Sequence, residues 1–385
     1  MRGAAAGFAL IAQRLALNID TPSCSASRSW LLRLGCYALI RPLPRGEWVW
    51  LIDHTVQIGA AKLLVIVGCL LSDIPFGERA LQRSDLQLVH LALMDHSNEI
   101  TMKHELEKAA LRTGIPREIV SDEGSDLIAG ANAFIEKADV IYVHDAAHQA
   151  ANVLKRRWSN DDRWITFTSM LSSTATKLRQ TNGAYLRPPT TRAKARFMNT
   201  KPTLVFATRM LKLLDATAPE HIEKHFGWMR EYRADLENWT SEQAVSQFAV
   251  RHIGVHGVNQ HTAAALELAY ENMTLTDGAE EVGKQMRKLA RVVGNQSANG
   301  ETLVGSTEVL ESLFGNFKRL EGSYVNDGFT GLTLAIGAMI GERSEEEVRK
   351  ALEAVPEKVA ASWVHRIIGT TVGMLRKVFN SNTKT

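Results

Sequence analysis

Three dense apolar runs follow a short N-terminal stretch: WVWLIDHTVQ (48–57), AKLLVIVGCLL (61–71) and LQLVHLALMD (86–95). Each is rich in β-branched and aromatic residues and bounded by Gly or Pro, the pattern of buried strands. Ahead of them, GFALIAQRLAL (7–17) has helical periodicity, NIDTPS supplies a turn and an N-cap, and ASRSWLLRLGCYAL (26–39) predicts a second helix. A Pro-containing linker from Arg41 to Gly46 separates these helices from the strands. Beyond the third run the periodicity changes. A helix is predicted from Asn98 to Arg112, ended by Gly114 and Pro116, then a short strand, EIVSD (118–122). A helix from about Ser125 to Lys137, a strand DVIYVHD (139–145) and a helix from Ala147 follow.

After residue 160 the strand signal stops. Stretches such as EHIEKHFGWMREYRADLENW and AEEVGKQMRKLARVV are helical, without a repeat period. A helix begins near Ser306, and others are expected near 328–340, 344–353 and 356–379. The order β-β-β-α-β-α-β-α predicts an α/β protein with an RNase H-like mixed five-stranded sheet, flanking helices and a large all-α insertion. The expected division is 1–46 as an N-terminal helical segment and 47–160 as the first part of the core. A helical insertion over 161–300 and a C-terminal block of helices over 301–385 complete it. In the N-terminal segment, two helices around a turn, the second bearing Arg28 and Arg33, resemble a truncated helix-turn-helix. A plain helical pair packed on the core fits the same pattern.

Hydrophobic content of 45% and charged content of 23% are globular values. The formal net charge is +3, but residues 151–212 hold thirteen Lys/Arg against Asp161 and Asp162 alone, a local excess of +11. A basic block in an otherwise slightly acidic chain points to a polyanion. Arg192, Lys194 and Arg196 alternate along an extended segment after Pro188 and Pro189, and Lys155, Arg156 and Arg157 cluster at a helix end. Both sets are expected to contact DNA phosphates. Cys24, Cys36 and Cys69 lack CxxC spacing, which favours a reducing compartment over a structural zinc. No run reaches the roughly 18 apolar residues of a membrane span, so a cytoplasmic protein without a membrane partner is expected.

Three acids carry the candidate chemistry. Asp53 interrupts a run that is otherwise core, where an unpartnered charge is costly to bury. Asp122 ends the fourth predicted strand, which the fold order sets beside the first. The third lies on the helix near 308, where Glu308 and Glu311 are one turn apart. Lys318, two turns beyond Glu311 on the same face, favours Glu311. Three carboxylates on two strands and a helix are what a protein needs to hold two divalent ions for phosphoryl transfer. Asp145 and His148 end a strand and open a helix; they are either a cap with a structural His or auxiliary groups near the scissile phosphate. His54 is expected on the opposite face from Asp53. His221, His225, His252, His256 and His261 lack acid or Cys partners nearby. Trp158, Trp164, Trp228 and Trp239 are expected mainly in the core.

These segments give the chain a recognisable likeness. WLIDHTVQIG, IVSDEGSDL, YVHDAAHQAANVLK, PPTTRAKARFMN and STEVLESLFGNFK resemble a bacterial insertion-sequence DDE transposase of the RNase H-like integrase superfamily. Glu311 with Lys318 is similar to its E-x6-K element, and Asp145 to His148 to a D-x-x-H element. At the positions seven and four before Glu311, where E-x6-K transposases carry Tyr and Arg, stand Val304 and Thr307. The resemblance implies that Asp53, Asp122 and Glu311 bind two Mg²⁺ (or Mn²⁺) ions. It also implies double-stranded DNA partners (transposon ends and target), a homodimer or larger assembly on DNA, and a bacterial, nucleoid-associated location. An RNase H-like nuclease without strand transfer, or a fragment that only binds DNA, are the alternative expectations.

Overall fold

In the computed structural model, residues 2–136, 138–190, 197–216, 218–322, 329–370 and 378–381 are described. The chain opens with α1 (Arg2–Arg14) and α2 (Cys24–Ile40), then β1 (Trp48–Ile58), β2 (Ala61–Leu70) and β3 (Gln87–Met94). Next come α3 (Glu99–Thr113), β4 (Glu118–Ser121), α4 (Ser125–Ile135), β5 (Ile141–His144) and α5 (Ala146–Trp158). Helices α6 (Asp162–Leu178), α7 (Lys201–Asp215), α8 (Glu220–Phe226), α9 (Arg233–His256), α10 (Thr262–Glu271) and α11 (Asp277–Gly294) follow. The chain continues with α12 (Glu308–Glu321), α13 (Ala335–Ala338), α14 (Glu345–Ala354) and α15 (Glu357–Ile367). Two compact units emerge: residues 1–75, 81–143 and 307–385 form the first, and residues 76–80 and 144–306 the second.

The first unit is built on a five-stranded sheet of order β3-β2-β1-β4-β5. β1 pairs antiparallel with β2, β2 antiparallel with β3, and β1 parallel with β4. This is the RNase H-like arrangement that the order of apolar runs predicts. The β1–β2 hairpin turns through Gly59, whose positive φ of 60° suits a residue without Cβ. Trp48, Trp50 and Ile52 pack on one face with Met102, Leu106 and Ala109 of α3 and with Leu127 and Ala131 of α4. The alternate residues Val49 and Leu51 point to the other face and are equally buried. There α12 packs on β1, and α2 packs on β3.

The N-terminal pair corrects the helix-turn-helix expectation. Nine residues separate α1 from α2, not the three or four of that motif. α2 is a core helix, N-capped by Ser23, whose Oγ accepts from the Ala26 N–H at 3.0 Å. It packs against α13, α14 and α15. Gly35 allows the closest approach: a Cβ there would be driven into the Leu334 carbonyl, and one on Gly337 would lie 2.9 Å from the Gly35 carbonyl. Arg33 does not face outward to DNA but donates to the Val355 carbonyl at 2.6 Å and to that of Leu352, at the end of α14. The plain helical pair is the one the structure contains.

The second unit is all-helical and begins at α5, earlier than the boundary at 161 expected from the loss of strand signal. The reason is aromatic packing. Trp158, the last residue of α5, meets Trp164 at 4.5 Å between ring centroids, and Trp164 meets Trp239 edge-on at 4.8 Å. Phe167 and Tyr232 complete this cluster, so the tryptophans are core side chains as their spacing predicts. No helix among the described residues is long and apolar enough to cross a membrane.

The α2–α13 contact leaves no room for a side chain, so Gly35→Ala is expected to cost about 3 kcal/mol of stability. Chemical denaturation measures this, and a loss below about 0.5 kcal/mol, typical of a surface change, would show that the two helices do not meet there.

Candidate active site

Residue Asp53 sits where β1 leaves the core. The five residues before it, Trp48 to Ile52, are fully buried, and Asp53 itself is half-buried. Along the parallel β1–β4 pair, Val49 is level with Glu118, Leu51 with Val120 and Ile52 with Ser121. The next residue in each segment is an acid: Asp53 on β1, and Asp122 just after the end of β4. Neighbouring strands lie about 4.8 Å apart, and alternation puts both carboxylates on the face away from α3 and α4. Asp53 Oδ1 accepts from the His54 N–H at 2.6 Å. Asp122 Oδ1 accepts from the Gly124 N–H at 2.9 Å, an Asx turn that leads into α4. Ser121 Oγ donates to the Asp122 carbonyl at 2.8 Å and also shares a hydrogen bond with the Tyr142 hydroxyl.

The third acid rides on α12. This helix buries Leu310, Leu313, Phe314 and Phe317 and packs on β1, the strand of Asp53. Glu308, Glu311 and Lys318 lie on its exposed side. Glu311 and Lys318 are seven residues apart, close to two turns, and so share a face. Carboxylate oxygens fit a hard divalent cation in chemical kind. Among the described residues, no group of three or more His, Cys, Asp or Glu side chains converges to hold a metal ion. Glu311 lies on a helix seated against β1, the strand of Asp53.

His54 points to the face opposite Asp53, as strand alternation predicts. Its surroundings were not foreseen. Nδ1 lies 3.8 Å from Asp126 Oδ2, Nε2 lies 3.4 Å from Ser97 Oγ, and Lys62 Nζ donates to Asp126 Oδ2 at 2.5 Å. Burial pushes the imidazole down to about 4, outweighing the opposing pull of Asp126, so the ring is neutral at physiological pH. The signal available in the sequence was Asp126 itself, an acid in the first turn of α4, four residues after Asp122. Nothing in linear order marked Lys62 and Ser97 as its partners.

In the helical unit, Asp145 is the N-cap of α5 and is 1% exposed. Its Oδ2 accepts from the His148 N–H at 2.9 Å and lies 3.0 Å from His148 Nδ1. The pair therefore has capping geometry. Of the predicted phosphate contacts, Lys155 and Arg156 are exposed in the last turn of α5. Arg157 is a correction. Its Nη2 donates at 2.7 Å to Oε1 of Glu242, which is 1% exposed and also bonded to Trp158 Nε1 and Asn238 Nδ2. A buried carboxylate needs that cation, so Arg157 serves the core. Arg192, Lys194 and Arg196 lie outside the described residues. The His252 and His256 rings meet tilted on α9, 4.6 Å between centroids, and His221 Nε2 lies 3.1 Å from the Tyr185 hydroxyl.

Comparison with known proteins adds a likeness of structure. No family model matches the chain, and no curated protein matches it. Among solved structures it is similar to the Drosophila P element transposase strand transfer complex, at 12% identity and a TM-score of 0.37. That match covers 86% of this chain and 87% of that one.

The contrast within the Lys155–Arg157 cluster is measurable. Arg157→Ala leaves the Glu242 charge buried without its cation and is expected to cost roughly 2–3 kcal/mol of stability. Lys155→Ala and Arg156→Ala are expected to stay within about 0.5 kcal/mol. Thermal or urea unfolding of the three variants checks this; equal effects would refute the assignment of Arg157 to the core.

Proposed function

We propose that the chain is a DNA transposase that cuts transposon ends and joins the freed 3′-OH to target DNA. The observation that carries this reading is the parallel β1–β4 register, whose last pair, Ile52 and Ser121, is followed on each chain segment by an acid, Asp53 and Asp122. The likeness of the surrounding segments to DDE transposases and the seating of α12 on β1 support it. Asp53, Asp122 and Glu311 would hold two Mg²⁺ (or Mn²⁺) ions. Bound there, the ions supply an activated water or hydroxyl nucleophile and neutralise charge at the scissile phosphate.

The chain's own residues contribute position and charge. The His54 and Gly124 amides orient the two aspartates by backbone donors that cannot drift with a side chain. Without a counter-charge, such a pair of carboxylates would repel a phosphodiester. Lys318, on the exposed side of α12 two turns from Glu311, offers a cation to a phosphate. Exposed Lys155 and Arg156, with Arg192, Lys194 and Arg196, would track the backbone of double-stranded DNA. Because two ends must be joined to one target, the working form is a homodimer or larger on DNA.

The test uses the purified chain with its own element ends and a target plasmid in Mg²⁺. Wild type is expected to cut the ends and join them to the plasmid. Asp53→Asn, Asp122→Asn and Glu311→Gln should each lower cleavage by at least about 100-fold, because such residues act as a unit. Undiminished cleavage by all three variants would contradict the reading. Cleavage without joining would identify a nuclease, and binding without cleavage a DNA-binding protein.

A further inference from the structure

The two aspartates belong to two different local structures. Asp53 is on the β1–β2 hairpin, and Asp122 is on the turn that leads from β4 into α4. Backbone pairing between β1 and β4 ends at Ile52 and Ser121, one residue short of both acids. Just past Asp53, β1 also loses regularity: pairing with β2 shifts register between His54 and Gln57, where β1 carries one extra residue. A bulge re-aims the side chains beside it, and a slip of one residue would turn Asp53 to the other face. The β1–β2 ladder pairs Asp53 with Val65 and His54 with Leu64 and so fixes Asp53 within its own hairpin, but past Ile52 and Ser121 no β1–β4 pair ties that hairpin to the turn of Asp122.

The polar cluster behind the sheet is placed to do so. It draws one residue from each of four elements: His54 from β1, Lys62 from β2, Ser97 from the segment after β3, and Asp126 from the first turn of α4. The Lys62–Asp126 bond spans 64 residues of sequence at 2.5 Å, and its side chains are only 24% and 13% exposed. Such a charge-assisted, half-buried bond is stronger than a surface ion pair. Gly124 stands between the two acids of the turn: a Cβ there would lie 3.0 Å from Asp122 Oδ1 and 3.3 Å from Asp126 Oδ1. Tying Lys62 to Asp126 thus ties the hairpin of Asp53 to the turn of Asp122.

We propose that Lys62, Asp126, His54 and Ser97 act as positioning residues that hold Asp53 against Asp122 from the opposite face of the sheet, and so set the affinity of the aspartate pair for a divalent cation. The proposal rests on the reading of Asp53 and Asp122 as cation ligands. Neither Lys62 nor Ser97 offers a carboxylate, so they act through the aspartates.

Mn²⁺ alone, titrated into the full chain by calorimetry, tests it. Asp126→Asn and Lys62→Met are expected to weaken Mn²⁺ binding about tenfold, the usual size of an outer-shell effect, and Lys62→Arg to stay near wild type. Gly35→Ala, which disturbs a distant helix contact, should lower stability and leave Mn²⁺ affinity unchanged, separating positioning from general stability. If Asp126 were itself a ligand, freeing it through Lys62→Met would strengthen binding; that result, or an unchanged midpoint in Lys62→Met and Asp126→Asn, overturns the proposal. Should either variant fail to fold, Ser97→Ala takes its place, with weakening expected and an unchanged midpoint overturning the proposal. Asp53→Asn keeps the two ideas apart. If it abolishes binding while the clamp variants do not, only the clamp is refuted. If it leaves binding intact, the ligand reading falls and the clamp with it.

Discussion

β1 is the constraint on which the rest of the first unit depends. A strand buried on both faces must sit in the middle of a sheet, with a helical layer on each side, and Trp48 to Ile52 meet that condition. Its position dictates its neighbours, with β2 completing a tight hairpin on one edge and β4 running parallel on the other. It also dictates where a charge can stand. An acid within the buried five residues would need a partner in the core. One step further, at Asp53, the strand emerges and a carboxylate becomes tolerable. Parallel pairing with β4 ends at the same level, at Ser121, and the residue after it is Asp122. A candidate site at a strand end is thus a consequence of packing, and the chemistry borrows it.

Much of this fold was legible in linear order because its signals are local. Runs of Val, Ile, Leu and Trp marked β1, β2 and β3 to within a residue or two. Asn98 caps α3, with its side chain accepting from the Thr101 N–H, and Gly114 ends that helix at a positive φ of 82°. What escaped notice depends on partners far away in sequence. Two N-terminal helices look alike whether they bind DNA or pack on a core, and only Gly35, a glycine within a helical pattern, hinted at a close backbone approach. The Lys62–Asp126 pair behind Asp53 and the Arg157–Glu242 pair likewise join residues 64 and 85 positions apart.

The basic block shows how formal charge differs from charge on offer. Its +11 counts Arg157, which neutralises buried Glu242. It also counts Arg163, whose Nη2 lies 2.6 Å from Asp235 and whose guanidinium sits 4.1 Å over the Tyr232 ring. Acids later in the chain fold back onto cations counted as free. Lys155 and Arg156, by contrast, lie exposed at the C-terminal end of α5, where the helix dipole also favours cations. A polyanion would meet a narrower set of side chains than composition implies.

The proposed function depends on whether the aspartates at the end of β1 bind a divalent cation. Anomalous diffraction from crystals soaked in Mn²⁺ tests it most directly. The expected result is a peak within about 2.5 Å of carboxylate oxygens from both Asp53 and Asp122. A map with those two carboxylates on opposite faces of the sheet, or with Mn²⁺ bound only elsewhere, would contradict it.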